Sequence, residues 1–157
     1  MEDILQKLNE EQIKPVTDTE GAVLVLAGAG SGKTRVLTSR IAYLIQVKGV
    51  YPSSILAITF TNKAAKEMRE RLSVMVDGAA SMWICTIHSM CVRILRMYAD
   101  RLGFTQNFSI YSETERTAVI KRAFAECGYE DEKLLKNVKF HIANAKMLGL
   151  EPRDYQA

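Results

Sequence analysis

The sequence predicts an α/β fold, a parallel sheet flanked by helices, and three observations carry that expectation. Short apolar runs recur at residues 22–27 (A-V-L-V-L-A), 55–60 (I-L-A-I-T-F) and 82–86 (M-W-I-C-T). After each run, apolar residues fall three and four apart, the spacing of an amphipathic helix. Each junction is rich in glycine or in small polar residues. Strands that alternate with helices pair in parallel through right-handed crossovers. Sheets of that kind gather their ligands at the carboxyl ends of the strands. The strand ends near residues 28–34, 59–63 and 86–89 are therefore expected on one rim.

The first run has the continuous apolar character of a strand buried on both faces, and the helix after it aligns Leu37, Ile41 and Leu44. The second run, Ile55 to Phe60, leads into a helix with Ala65, Met68, Leu72 and Met75 on one face. The third, Met82 to Thr86, leads into one that groups Cys91, Ile94, Leu95, Tyr98 and Leu102. After Phe108 to Tyr111 the character changes. Ser112 and Glu115 form a capping box, opening a helix expected to bury Val119, Ile120, Ala123 and Phe124. Beyond Gly128 a second helix turns Leu134, Leu135, Val138 and Ile142 inward and closes near Gly149 and Pro152. The domain expectation is residues 1–111 for the strand–helix body and 112–157 for the beginning of a helical subdomain.

Composition narrows the class. The 157 residues are 48% hydrophobic and 25% charged, as in a soluble globular fold. A net charge of +3 permits a phosphate-bearing partner without demanding one. Cys85, Cys91 and Cys127 are an odd number without a C-x-x-C pair, so reduced, mostly packed thiols are expected. There is no secretory leader pattern and no apolar run near the roughly 20 residues of a membrane span. A soluble, cytoplasmic protein is expected.

The most specific signal is Ala27-Gly28-Ala29-Gly30-Ser31-Gly32-Lys33-Thr34, set between an apolar run and an amphipathic helix. It ends in the Gly-Lys-Thr of a phosphate-binding loop, with alanine where the strict pattern begins with glycine. Gly28, Gly30 and Gly32 allow a tight curl that turns successive N–H groups inward as an anion nest. The amino end of the following helix adds unpaired N–H groups and a favourable dipole. Lys33 brings a cation to the β- and γ-phosphates, and the Thr34 hydroxyl can ligate magnesium. A match this loose arises by chance about once in a hundred chains of this length, and the flanking run and helix lower those odds further. ATP with Mg2+ is the expected ligand.

The other strand ends choose among nucleotide-using proteins. Phe60, Thr61, Asn62 and Lys63 set a ring, a hydroxyl, an amide and a cation at the mouth of the second strand, a mixture suited to a single nucleic-acid strand. Taken alone, Phe60 reads as core and Asn62 as a helix cap. Thr86, His88 and Ser89 make the third strand end equally polar. Together, in this order, the segments resemble the UvrD/PcrA/Rep group of DNA helicases. The resemblance starts with L-N-E-E-Q at Leu8 to Gln12, similar to that group's adenine-recognising Q motif. It continues through A-G-A-G-S-G-K-T-R at Ala27 to Arg35, T-F-T-N-K-A-A at Thr59 to Ala65 and T-I-H-S-M-C-V-R-I-L-R at Thr86 to Arg96. It covers residues 4–111 strongly and the helical tail more weakly.

The resemblance implies a partial RecA-like ATP-binding motor domain followed by the start of a helical insertion subdomain. Gln12 would read adenine, since a carboxamide can pair with N6 and N7. Ala27, Gly28, Ala29, Gly30, Ser31, Gly32, Lys33 and Thr34 would hold the triphosphate and magnesium, with Arg35 against the base. Phe60, Thr61, Asn62, Lys63, Thr86, His88 and Ser89 would line a track for single-stranded DNA. The parent protein would couple ATP hydrolysis to translocation and duplex unwinding in DNA repair or replication. Lys136, Lys139 and Lys146 read as a solvated basic face.

Hydrolysis also needs an acidic residue at another strand end to hold magnesium. No apolar run here ends in one, and Asp131-Glu132 sits at a helix start, so these residues by themselves are expected to hydrolyse ATP at background. Other readings are a helicase–nuclease of the RecB/AddA type, a small phosphate-loop kinase, or a nucleotide- or DNA-binding module without hydrolysis.

Overall fold

The computed structural model describes residues 2–154, and the chain divides into two compact units, Met1–Gln106 and Asn107–Ala157. The first unit opens with two short helices, α1 (Glu2–Gln6) and α2 (Glu10–Thr17), and then the long α3 (Lys33–Gln46). Strand β1 (Leu56–Thr59) leads into α4 (Asn62–Ser73), and β2 (Trp83–Thr86) leads into α5 (Ile87–Met97). The two strands pair in parallel with Leu56 opposite Trp83 and Thr59 opposite Thr86. A hydrogen bond from the Trp83 N–H to the Ile55 carbonyl, 3.1 Å, extends the ladder by one step. Because the register is flush, the segments after Thr59 and after Thr86 leave from the same edge. Two of the three strand ends expected on the rim are therefore side by side.

The core lies where α3, α4 and the two strands meet. Ile41 and Ala42 face Met68 and Leu72, with Ala57 and Ile84 beneath them. Leu72 and Ala42 are fully buried. The expected inner face of α4 is thus the one that packs, with Ala65, Met68 and Leu72 buried and Met75 partly so. Arg69 ties the helix to the sheet by donating to the Ile84 carbonyl at 2.8 Å.

Four expectations are corrected. Residues 22–27 join no sheet, and Val23, Leu24, Val25 and Leu26 are 39, 83, 47 and 86% exposed. The run still alternates, valines more covered than leucines, as an extended chain does. A strand needs a neighbour for its backbone groups, and β1 and β2, the only strands among the described residues, bond each other. Strand β1 is covered on one face only: Ala57 is buried, whereas Leu56 and Ile58 are 48 and 41% exposed. Helix α5 has no buried residue, and Ile94, Leu95, Tyr98 and Leu102 stand open. Cysteine follows suit, since Cys85 is half-buried and Cys91 and Cys127 are exposed.

The second unit pairs α6 (Glu113–Glu126) with α7 (Glu132–Met147). Ser112 and Glu115 complete the capping box at the start of α6, and Asp131 caps α7 by accepting from the Lys133 and Leu134 N–H groups. Asp131-Glu132 is therefore a helix start, not a strand-end acid. Lys139 is no solvated cation: its ammonium lies 3.3 Å from a Glu113 carboxylate oxygen and donates to the Thr117 hydroxyl at 2.8 Å, bolting α7 to α6. Neither helix buries a residue. Ile120, Phe124, Leu135, Val138 and Ile142 reach half-burial, but Val119, Ala123 and Leu134 remain exposed, because two helices alone cannot enclose a side chain. No described helix is long and apolar enough to cross a membrane.

Candidate nucleotide and nucleic-acid site

The glycine-rich loop takes its shape from two backbone positions that only glycine accepts readily. Gly30 and Gly32 have φ of +77° and +87°, the left-handed region in which a Cβ costs about 1–2 kcal/mol. Gly32 is the cap residue of α3 and offers no side chain to its first N–H groups. The amides of Lys33, Thr34 and Arg35 therefore open the helix without an intrahelical partner. That arrangement is one that suits an anion. Gly32 is needed for room as well, since a Cβ there would stand 2.8 Å from Gln12 Nε2.

Gln12 reaches the loop from α2. Asn9 caps that helix and, with Gln12, completes a capping box. Gln12 Oε1 accepts the Asn9 N–H at 3.2 Å, and Nε2 donates to the Ser31 carbonyl at 2.9 Å. Each end of the carboxamide keeps one further hydrogen-bonding direction. Helix α2 is stapled to α3 by Arg40, whose guanidinium donates to the Pro15 carbonyl at 2.7 Å and to the Asp18 carbonyl. Nothing in the spacing of the sequence singles out Arg40, because both partners lie more than 20 residues away.

Between these elements lies a cleft of about 640 Å³, lined by Gln12, Ala27, Gly28, Ser31 and Lys33 with Val23 and Val25 on its apolar side. Its size suits a nucleotide-sized ligand. The Lys33 ammonium rests on the loop itself, donating to the Gly28 carbonyl at 2.6 Å and to the Ala27 carbonyl at 3.3 Å. Ser31 closes the turn by donating its hydroxyl to the Gly28 carbonyl at 2.8 Å. Ala29 and Thr34 are exposed beside the cleft. Arg35 is not brought there: it donates to the Lys7 carbonyl at 3.3 Å and lines a different hollow with Ile4 and Gln46.

At the sheet edge, Phe60 is 100% exposed, so it is not core. Thr61, not Asn62, caps α4, its hydroxyl accepting the Ala64 N–H at 3.1 Å. Asn62 and Lys63 are exposed in the first turn. Across the ladder, Thr86 is buried and caps α5, its hydroxyl accepting the Ser89 N–H at 3.2 Å. Its hydroxyl also lies 3.0 Å from that of Ser89. His88 and Ser89 are exposed. The two polar junctions thus sit side by side at the ends of paired strands. Neither strand ends in a carboxylate.

Comparison with known proteins converges on one family. The profile of the UvrD/REP helicase N-terminal domain matches residues 8–157. The chain is 57% identical over its whole length to the ATP-dependent DNA helicase PcrA of Staphylococcus aureus (strain Mu50 / ATCC 700699), covering 23% of that protein. It is 49% identical to the ATP-dependent DNA helicase PcrA of Bacillus subtilis (strain 168), over 97% of this chain and 21% of that protein. The chain therefore spans about a quarter of the length of these relatives.

Proposed function

The chain belongs to the family of UvrD/REP helicase N-terminal domains, and from that premise we propose that it is the ATP-binding portion of a RecA-like motor in an ATP-dependent DNA helicase. Gln12 reads adenine through the directions its carboxamide keeps open. The amides at the mouth of α3 and the Lys33 ammonium take the phosphates, the ammonium exchanging the Gly28 carbonyl for phosphate oxygen. The exposed Thr34 hydroxyl would hold a magnesium ion that arrives with the triphosphate, and that ion would neutralise phosphate charge.

Phe60, Thr61, Asn62, Lys63, Thr86, His88 and Ser89 form the start of a single-strand track along the shared edge of β1 and β2. In the whole protein, hydrolysis would drive translocation along one DNA strand and displacement of the other, in repair or replication in the cytoplasm. The acid that positions magnesium for hydrolysis is absent from both strand ends, so these residues alone bind ATP without turning it over.

One observation carries this reading: Gln12 and Ser31, 19 positions apart, are joined by a 2.9 Å hydrogen bond at the mouth of a glycine-rich turn. Equilibrium binding of fluorescent ATP and GTP analogues tests it. Lys33→Ala is expected to lower affinity for both, and Gln12→Ala to erase the preference for adenine. Equal binding of both nucleotides by the unaltered chain and by both variants sinks the assignment.

A further inference from the structure

Helix α5 carries a second cleft, on the side of the sheet edge where the track ends. About 450 Å³ in volume, it is lined by Ser89, Val92, Arg93, Arg96, Met97 and Gln106. Two guanidiniums, a hydroxyl and a carboxamide converge there, and no carboxylate lines it. Positions 89, 93 and 96 are four and three apart, so they form one stripe that runs about 10 Å along the helix axis.

What distinguishes these two arginines is that both line one cleft free of carboxylates. Elsewhere, Arg35, Arg40 and Arg69 donate to backbone carbonyls, Arg116, Arg122 and Arg153 pair with carboxylates, and Arg101, also without a carboxylate, stacks on Tyr98. Among the described residues, neither Arg93 nor Arg96 has an acidic partner within 4 Å. Arg93 is nonetheless held in place, its guanidinium 3.9 Å from the centroid of the Trp83 ring. Stacking engages the face of the guanidinium and leaves in-plane N–H groups to donate. An arginine fixed in this way loses less freedom when it binds a phosphate fork.

We propose that the Ser89–Arg93–Arg96 stripe with Gln106 is a phosphodiester-binding site that extends the single-strand track from the end of β2 along α5. It rests on the DNA reading above, through Ser89, which belongs to both. The geometry fits backbone phosphates, which arginines grip bidentately, rather than bases, since no aromatic ring lines the cleft. Trp83 is the only tryptophan of the chain, so its emission reports on the ring beneath Arg93.

The test is titration of this chain with a single-stranded oligothymidylate, following an end label and Trp83 emission over a range of salt. Arg96→Gln leaves the Trp83 stack intact and, being exposed, leaves the fold intact by circular dichroism. It is expected to weaken binding roughly tenfold and to flatten the salt slope by about 0.7, the share of one phosphate on a single strand. Arg93→Gln is expected to weaken binding and to abolish the change in Trp83 emission. Arg122→Gln, the same charge removed from the second unit, is expected to bind as the unaltered chain does. Wild-type affinity and slope in both cleft variants, while Phe60→Ala weakens binding, overturn this site and leave the track standing. No effect from any of the three overturns both. If inorganic phosphate saturates the Trp83 change and the oligothymidylate cannot displace it, the site serves free phosphate and the single-strand assignment is wrong.

Discussion

Gly32→Ala probes the junction on which the nucleotide reading rests. Two costs follow from the structure. The residue has φ of +87°, and a Cβ in that region costs about 1–2 kcal/mol relative to glycine. The new methyl would also stand 2.8 Å from Gln12 Nε2, far inside contact distance, so the carboxamide must withdraw and the bond to Ser31 is lost, about 1 kcal/mol. Together these come to roughly 2–3 kcal/mol. The loop is exposed and makes few contacts with the core, so the loop adopts another conformation while the core of the domain stays folded. The cost then falls on nucleotide binding, where it corresponds to roughly 30- to 150-fold weaker affinity. The assay is fluorescence titration with an ATP analogue, paired with thermal unfolding. Gly49→Ala is the control: its φ is +69° and its Cβ would meet nothing within 4 Å, so it carries the backbone strain away from the cleft. It should lower the melting temperature and leave ATP affinity alone. If Gly32→Ala binds ATP as tightly as the unaltered chain, the loop is not an anion nest and the cleft beside Gln12 is not its nucleotide site.

Phe60→Ala removes a ring that touches nothing in the fold, so thermal stability should be unchanged while single-stranded DNA affinity falls by about 1–3 kcal/mol, the share of one stacked base. A drop in melting temperature with unaltered DNA binding would show a packing role instead. Acid should loosen the second unit. Lys139 and then Arg116 hold the Glu113 carboxyl below its ordinary range, and the Ser112 backbone N–H does the same for Glu115. Carboxylates with depressed values stabilise the fold above the ordinary carboxylate range, and the benefit is lost as pH falls through their folded values. Helical circular dichroism should therefore hold from neutral pH to about 5 and decline below it. In Lys139→Gln the decline should be shallower, and an identical acid profile in that variant counts against the Lys139–Glu113 bond. The chain by itself should release phosphate from ATP at background, and turnover that disappears in Lys33→Ala would contradict this.

Local physics was legible in the residues. The capping box of Ser112 with Glu115 was read from side chains that bond their own helix start, and Asp131-Glu132 was placed at a helix start, whereas Asn62 was read as the cap of α4 and Thr61 holds that position. The glycine-rich loop was legible because positive φ and close packing both call for glycine. The order of β1, α4, β2 and α5 followed from hydrophobic period, and their parallel pairing from the handedness of crossovers. The inner face of α4 followed from its period as well.

What failed was burial, and for one reason. An apolar residue is buried only if a second element covers it, and the pattern of one segment does not reveal its neighbour. Residues 22–27 look like a strand buried on both faces, but they pair with nothing among the described residues. The apolar stripe of α5 and the outer face of β1 are open for the same reason. Phe60 read as core by itself and is fully exposed, because the strand ends one residue before it and the chain turns outward. Long-range bonds were equally invisible. Lys139 read as a solvated cation until α6 brought Glu113 and Thr117 beside it. Arg40 carried no signal until α2 lay against α3, and the convergence of Arg93 and Arg96 with Gln106 on one cleft free of carboxylates emerged only from the fold. The sequence by itself determined which backbone shapes and which chemical groups are present. Tertiary structure decided which groups meet, because hydrogen bonds and burial are properties of pairs, and the partners lie far apart along the chain.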